Sequence, residues 1–256
     1  MFKGITLEEF NRVFISEERC RKYLHKLKWR KGYCCKKCGS RESWKGRTSL
    51  HARCRECDYD ESVTANTVFH KLQVPLRKAF SMVFHITVLK KGISTIELAA
   101  IYGVNQKTAW SFKRKVQYSM GKGLPKINAR PEIADLFSID GISISHRPRR
   151  MNGLQRITVM VSKGSSKSSK KNLRRMQLVR EANEMEPCGL VRGHYVAEGK
   201  NIQLWNFKSW LMGVHHHCSE IYLQGYLDEY TFRLIYRHKK DTIWHRLIKQ
   251  MMRTNP

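Results

Sequence analysis

Apolar residues recur at three- and four-residue steps through much of this chain, and that rhythm predicts helices near both ends. Phe10, Val13 and Phe14, then Cys20, Tyr23, Leu24 and Leu27, form the inward faces of two short helices in the first thirty residues. Thr6-Leu7-Glu8-Glu9 and Ser16-Glu17-Glu18 open them, each with a hydroxyl to cap free amides and carboxylates in the first turn. Leu76, Ala79, Phe80, Val83, Phe84, Ile86 and Thr87 predict a third helix over 76–91, closed by Lys90-Lys91-Gly92. Ser94-Thr95-Ile96-Glu97 reads as a capping box for a short helix to Tyr102, Gly103 turns the chain, and Asn105 caps a longer helix to about 120. Further on, Leu204, Trp205, Phe207, Trp210 and Leu211 mark a helix that the run from Gly213 to His217 breaks. Ser219-Glu220 opens another, carrying Leu223, Tyr226, Leu227, Tyr230 and Leu234, and a last helix covers about 241–252.

The β-type signals lie between these. The run Ser62-Val63-Thr64-Ala65-Asn66-Thr67-Val68-Phe69-His70 is β-prone, with His70 as a packing or DNA-facing residue. Leu136 to Asp140 reads as a strand ending in a carboxylate, and Arg156 to Val161 as a second strand. Residues 141–180 hold eleven Lys or Arg, no acidic residue and a serine-rich patch at 165–169, which predicts a loop or arm lying on phosphate. A polar linker at 121–130 marks a boundary. The expected organisation is 1–72, 73–122 and 130–256.

Cysteine spacing adds chemistry. Cys35 and Cys38 stand three apart, as do Cys54 and Cys57, with fifteen residues between the pairs. Two such knuckles form the four-thiolate pattern of a zinc ribbon, each giving two sulfurs from one tight turn. Cys34 competes with Cys35, but only Cys35 has the knuckle spacing to Cys38, so the expected zinc ligands are Cys35, Cys38, Cys54 and Cys57. Gly39 suits the first turn by reaching positive φ. The consecutive His215, His216 and His217 beside Cys218 are a poor second metal site, because neighbouring residues rarely point at one centre.

A formal net charge of +28 calls for a polyanionic partner. Nothing resembles a membrane span, a secretory leader or a basic interfacial helix, and cysteines without a pairing scheme fit a reducing cytoplasm. Nucleic acid is therefore the expected partner. The short helix, glycine turn and second helix at 94–120 make a helix-turn-helix candidate. In it Val104, Ala109, Phe112 and Val116 face inward, and Gln106, Lys107, Thr108, Lys113 and Arg114 are available to DNA.

In this order the segments resemble insertion-sequence transposases with an N-terminal zinc ribbon, a helix-turn-helix and an RNase H-like catalytic core, the ISXO-like group. The matching residues are Lys28-Trp29, Gly32-Tyr33, the ribbon cysteines, the run at 62–70, Lys107-Thr108-Ala109-Trp110 and Ser138-Ile139-Asp140. Later matches are Asn206-Phe207-Lys208-Ser209-Trp210-Leu211, His216-His217-Cys218-Ser219 and the block from Tyr226 to Arg233. The resemblance implies a mixed α/β chain whose RNase H-like core is shortened. It implies binding of double-stranded DNA at element ends and target, more than one protomer, a bacterial cytoplasm at the nucleoid, and Mg²⁺-dependent strand cleavage and transfer. Asp140 matches the group's first catalytic aspartate; Asn206 (with Asn201 as a rival) and Lys208 match its asparagine and lysine. The group's second aspartate has no counterpart: between Asp140 and Asn206 the acidic residues are Glu181, Glu184, Glu186 and Glu198. Glu198 is the fallback ligand.

Overall fold

The computed structural model describes residues 6–89, 91–124, 134–143, 154–162, 176–179, 202–216, 218–236 and 240–254. The chain forms two compact units: Met1–Leu89 with Thr95–Ser119 and Lys240–Pro256, and Lys90–Ser94 with Met120–Lys239. Each contains one antiparallel three-stranded sheet. This is a mixed helix-and-sheet chain.

The first unit begins with α1 (Leu7–Val13) and α2 (Glu17–Lys28). Thr6 and Glu9 form the predicted reciprocal capping box, and Ser16 accepts from the Arg19 amide at 3.3 Å. Three short strands follow, β1 (Ser43–Lys45), β2 (His51–Cys54) and β3 (Asp60–Ser62), in the order β1-β2-β3. Then come α3 (Leu76–Val88), α4 (Thr95–Tyr102) and α5 (Gln106–Lys122). Pro75 caps α3 with no side-chain hydrogen bond, so its first amides take a partner from far away. Glu17 supplies it, accepting from the Leu76 and Arg77 amides at 3.1 and 2.7 Å. A carboxylate at a helix N-terminus also meets the positive end of the dipole.

The last helix, α8 (Lys240–Met251), completes this core instead of joining the C-terminal segment as the sequence suggests. Its Trp244 is 4% exposed and packs on Phe10, Phe14, Tyr23 and Phe80, with ring centroids 5.0–5.5 Å apart. The indole N–H donates to the Phe80 carbonyl at 3.2 Å, so the ring buries its area without orphaning its donor. His245 of the same helix shares a hydrogen bond with the Tyr23 hydroxyl.

The run at 62–70 differs from its β-prone reading. Only Ser62 is in a strand; 63–70 is a chain of turns whose Val63, Ala65, Val68 and Phe69 are buried. Local side chains take over the backbone partners. Thr67 Oγ1 donates to the Thr64 carbonyl at 2.6 Å and accepts from the Phe69 amide at 3.1 Å, while the Val68 amide reaches the Met251 carbonyl at 3.2 Å.

The second unit contains β4 (Ala134–Ser143), β5 (Leu154–Ser162) and β6 (Met176–Val179), paired β4-β5-β6. Strand β6 lies inside the basic stretch read as a loop. Among the described residues, two helices join this sheet, α6 (Ile202–His215) and α7 (Glu220–Tyr236), with α6 on β4 and α7 on β6. Val159, Val161 and Met176 meet Leu204, Phe207, Leu211, Leu223 and Leu227 in its core. Helix α6 runs through Gly213 to His215, and the break expected within 213–217 falls at His216, φ +60°.

Candidate metal centre and nucleic-acid face

The ribbon is built from two turns of like geometry. The Cys35 amide bonds the Ser40 carbonyl at 2.8 Å, and the Cys54 amide bonds the Tyr59 carbonyl at 3.0 Å. The residue after the second cysteine of each knuckle is left-handed: Gly39 at φ +79°, as expected, and Asp58 at φ +54°. Strand β2 pairs with both neighbours, and its register sets Cys54 opposite Ser43. The sheet thereby carries the second knuckle to the first.

The four sulfurs of Cys35, Cys38, Cys54 and Cys57 all lie within 4.8 Å of one another. Cys35 and Cys57 are 3.6 Å apart, and Cys38 and Cys54 3.4 Å. A metal about 2.3 Å from four tetrahedral sulfurs requires edges of about 3.8 Å, so the cluster has the size and donor chemistry of a structural zinc site. Burial raises the Cys35 thiol, but the Cys38 and Lys37 amides, with Cys57 and Tyr33, outweigh it and bring it down to about 6. Against burial, amides aimed at the Cys35 and Cys54 sulfurs favour thiolate, the form that binds metal. At Cys38 and Cys57 the Ser40 and Tyr59 amides are outweighed by burial and the neighbouring sulfurs, which hold the thiols up. Cys34 points elsewhere: it is exposed, and its thiol faces the Gly39 carbonyl at 3.7 Å. Among the described residues, no other group of three or more metal-ligating side chains gathers. Cys218 is buried in the second unit's core and His217 lies outside the described residues.

An ion pair ties the ribbon to α2. Lys28 Nζ lies 2.8 Å from Glu61 Oε1 and donates to the Ser62 and Ala65 carbonyls at 2.6 and 2.8 Å. The two side chains are 10% and 1% exposed. Asn66, left-handed at φ +59°, adds an amide donor to Glu61 at 3.4 Å. Removing one partner of a buried pair strands the other charge. Lys28→Ala is expected to destabilise the first unit by about 3 kcal/mol, and urea unfolding followed by circular dichroism checks it. A midpoint within error of wild type would refute the assignment.

On the ribbon's outer face, Trp44 is 57% exposed, with the Arg55 guanidinium 4.1 Å above its ring. Sequence reasoning passed over this pair. Its signal was a tryptophan in a short, polar, cation-rich strand.

Helices α4 and α5 follow one another across Gly103, which has φ +57°. The Val104 amide bonds the Ala99 carbonyl at 3.1 Å and the Gly103 amide bonds that of Ala100 at 3.4 Å, the paired closure of a Schellman turn. Asn105 Oδ1 caps α5 through the Lys107 amide at 2.8 Å. Gln106 and Lys107 are exposed, Thr108 is half-buried, and Arg114 is half-buried beside the Trp110 ring at 5.5 Å. Lys113 does not belong with them. It is fully buried, because α5 buries Ala109, Phe112, Lys113, Val116, Gln117 and Met120, one stripe at 3.6-residue period.

In the second unit, Asp140 and Gly141 sit where the β4–β5 register shifts, between Ile139 and Ile142. Because α6 packs on β4, the strand with Asp140 and the helix with Asn206 and Lys208 are neighbours. Asn206 is exposed; Lys208 is half-buried, its Nζ 5.4 Å from the Trp205 ring centroid. Asn201, Glu181, Glu184, Glu186 and Glu198 lie outside the described residues. Among the described residues, no helix is long and apolar enough to cross a membrane.

Over 148 residues the chain is 27% identical to an uncharacterized protein in transposable element ISH50 of Halobacterium salinarum, a match covering 56% of this chain and 50% of that one. The chain thus spans about half the length of the curated relative it matches. No protein-family model and no solved structure matches. The chain is thus similar to a transposable-element protein, and its four-thiol cluster is a candidate structural zinc site.

Proposed function

We propose that this chain is a transposase-related protein of an insertion element whose working activity is binding duplex DNA. The observation that carries this reading is the complete four-sulfur cluster, in a ribbon that precedes α4 and α5 on a chain of net charge +28. Zinc held by Cys35, Cys38, Cys54 and Cys57 stiffens the ribbon. Lys107 and Gln106 at the exposed start of α5, together with Arg114 and Trp44, meet the duplex. Similarity to a transposable-element protein supports the setting. The test is titration of labelled element-end duplex against RNA of equal length and sequence. Preference for the duplex, weakened several-fold by Lys107→Gln, is the expected result. Preference for RNA would overturn the reading.

Strand cleavage and transfer is the second reading, favoured by the Asp140 strand lying next to the helix of Asn206 and Lys208. Mg²⁺ in such a site would stabilise charge on the transferred phosphate. Asp140 alone does not supply a two-ion site, so no step is assigned to it. The expectation is that wild type and Asp140→Ala are indistinguishable in nicking element-end DNA with Mg²⁺ or Mn²⁺. A wild-type rate about 100-fold above the variant, or about 2.7 kcal/mol of transition-state stabilisation, would restore an active transposase.

A further inference from the structure

We propose that a basic basin in the first unit, walled partly by the last turn of α8, seats a backbone phosphate of bound duplex DNA. This deepens the DNA-binding reading and rests on it. The basin has a volume of about 470 Å³, and three segments remote in sequence wall it: the end of α2 with the loop beyond, the turn after β3, and the end of α8. Lys28, Arg30, Lys31, Lys36, Lys249 and Arg253 line it. Among the described residues, Glu61 is the single carboxylate of its wall, 1% exposed and committed to Lys28 at 2.8 Å. One carboxylate neutralises one cation. The remaining cations face a shared cavity, and an anion entering it relieves their mutual repulsion.

Two further observations favour a strand of DNA as the source of that anion. Arg30, Lys31, Lys36 and Arg253 are exposed, so the basin opens to solvent and admits a polymer. Lys36 lies between Cys35 and Cys38, which makes the basin continuous with the ribbon already assigned to DNA. The field of the wall also reaches a neighbouring group. Burial lowers the proton affinity of the His245 imidazole, and Lys249 and Arg30 lower it further.

A purely structural account exists. Helices α2 and α8 both end at this basin, and C-terminal carbonyls attract cations without any ligand. The two accounts differ in what charge removal changes. In the full chain, Lys249→Gln/Arg253→Gln is compared with Arg12→Gln/Arg19→Gln, which removes the same charge from exposed positions outside the basin. Affinity for a labelled duplex is measured across a KCl series. The basin variant is expected to lower the slope of log affinity against log salt by about 1, the signature of one lost phosphate contact, while the control keeps the wild-type slope. An unchanged slope in the basin variant overturns the proposal, and so does an equal fall in the control. A lower melting temperature with an unchanged slope assigns the cations to the helix ends and overturns it too. If the double variant does not fold, Arg253→Gln alone, beyond the end of α8, gives the same readout. If wild type binds no duplex at all, the DNA-binding reading falls and the basin with it. Failure of the basin alone leaves that reading standing.

Discussion

Cys54→Ser is expected to empty the ribbon of metal and unfold it. Wild type purified in zinc should hold about one zinc per chain, and the variant close to none. The effect is large because little else holds this region. Its strands are three, four and three residues long, and between Cys35 and Cys57 the buried apolar side chains are Cys35, Ala52 and Cys54. Such a core cannot offset the entropy of ordering its own backbone, so metal coordination supplies the missing stability, on the order of 10 kcal/mol at neutral pH. Cys34→Ser is the matched control and should keep its zinc, since that thiol faces the Gly39 carbonyl. Metal content by atomic emission, with circular dichroism after chelation, separates the two. Zinc retained by Cys54→Ser, or lost by Cys34→Ser, would break the ligand assignment.

Trp244→Ala is expected to cost the first unit about 4 kcal/mol, in the range of large-to-small aromatic truncations that leave a cavity. The indole touches rings from α1, α2 and α3, so its loss opens a void that no single neighbour can fill. It also deletes a buried hydrogen bond to the Phe80 carbonyl. Trp205→Ala, at a position 41% exposed, should change stability by less than about 1 kcal/mol. Urea titration of both variants gives the comparison. Equal midpoints would mean that α8 is not part of this core.

Where the sequence spoke through local chemistry, it spoke clearly. A hydroxyl followed three residues later by a carboxylate predicted the start of α1, and the thiol spacing identified all four members of the sulfur cluster. What escaped were features set by partners remote in the chain. The turns at 63–70 carry β-type side chains, but Lys28 and Met251 take part of their backbone hydrogen bonding, and nothing local announces either. Lys113 was read by its charge as outward, although its place in the 3.6-residue stripe points inward; period outweighs residue type there. Strand β6 hid in a cationic stretch because four residues are too few for any period to stand out.

The return of α8 to the N-terminal unit bears on how the chain is made. A ribosome delivers the ribbon and α1 to α5 long before Trp244, so the aromatic core waits with one wall missing while more than a hundred residues are added. Closing a loop of that length costs about 4 kcal/mol if the intervening segment is unstructured, and less once the second unit has folded. Folding order therefore favours the inner unit first. A chain arrested or clipped ahead of residue 240 would expose Phe10, Phe14 and Phe80 together, a surface that chaperones and proteases recognise. Aborted translation products of this protein should therefore be cleared faster than the full chain.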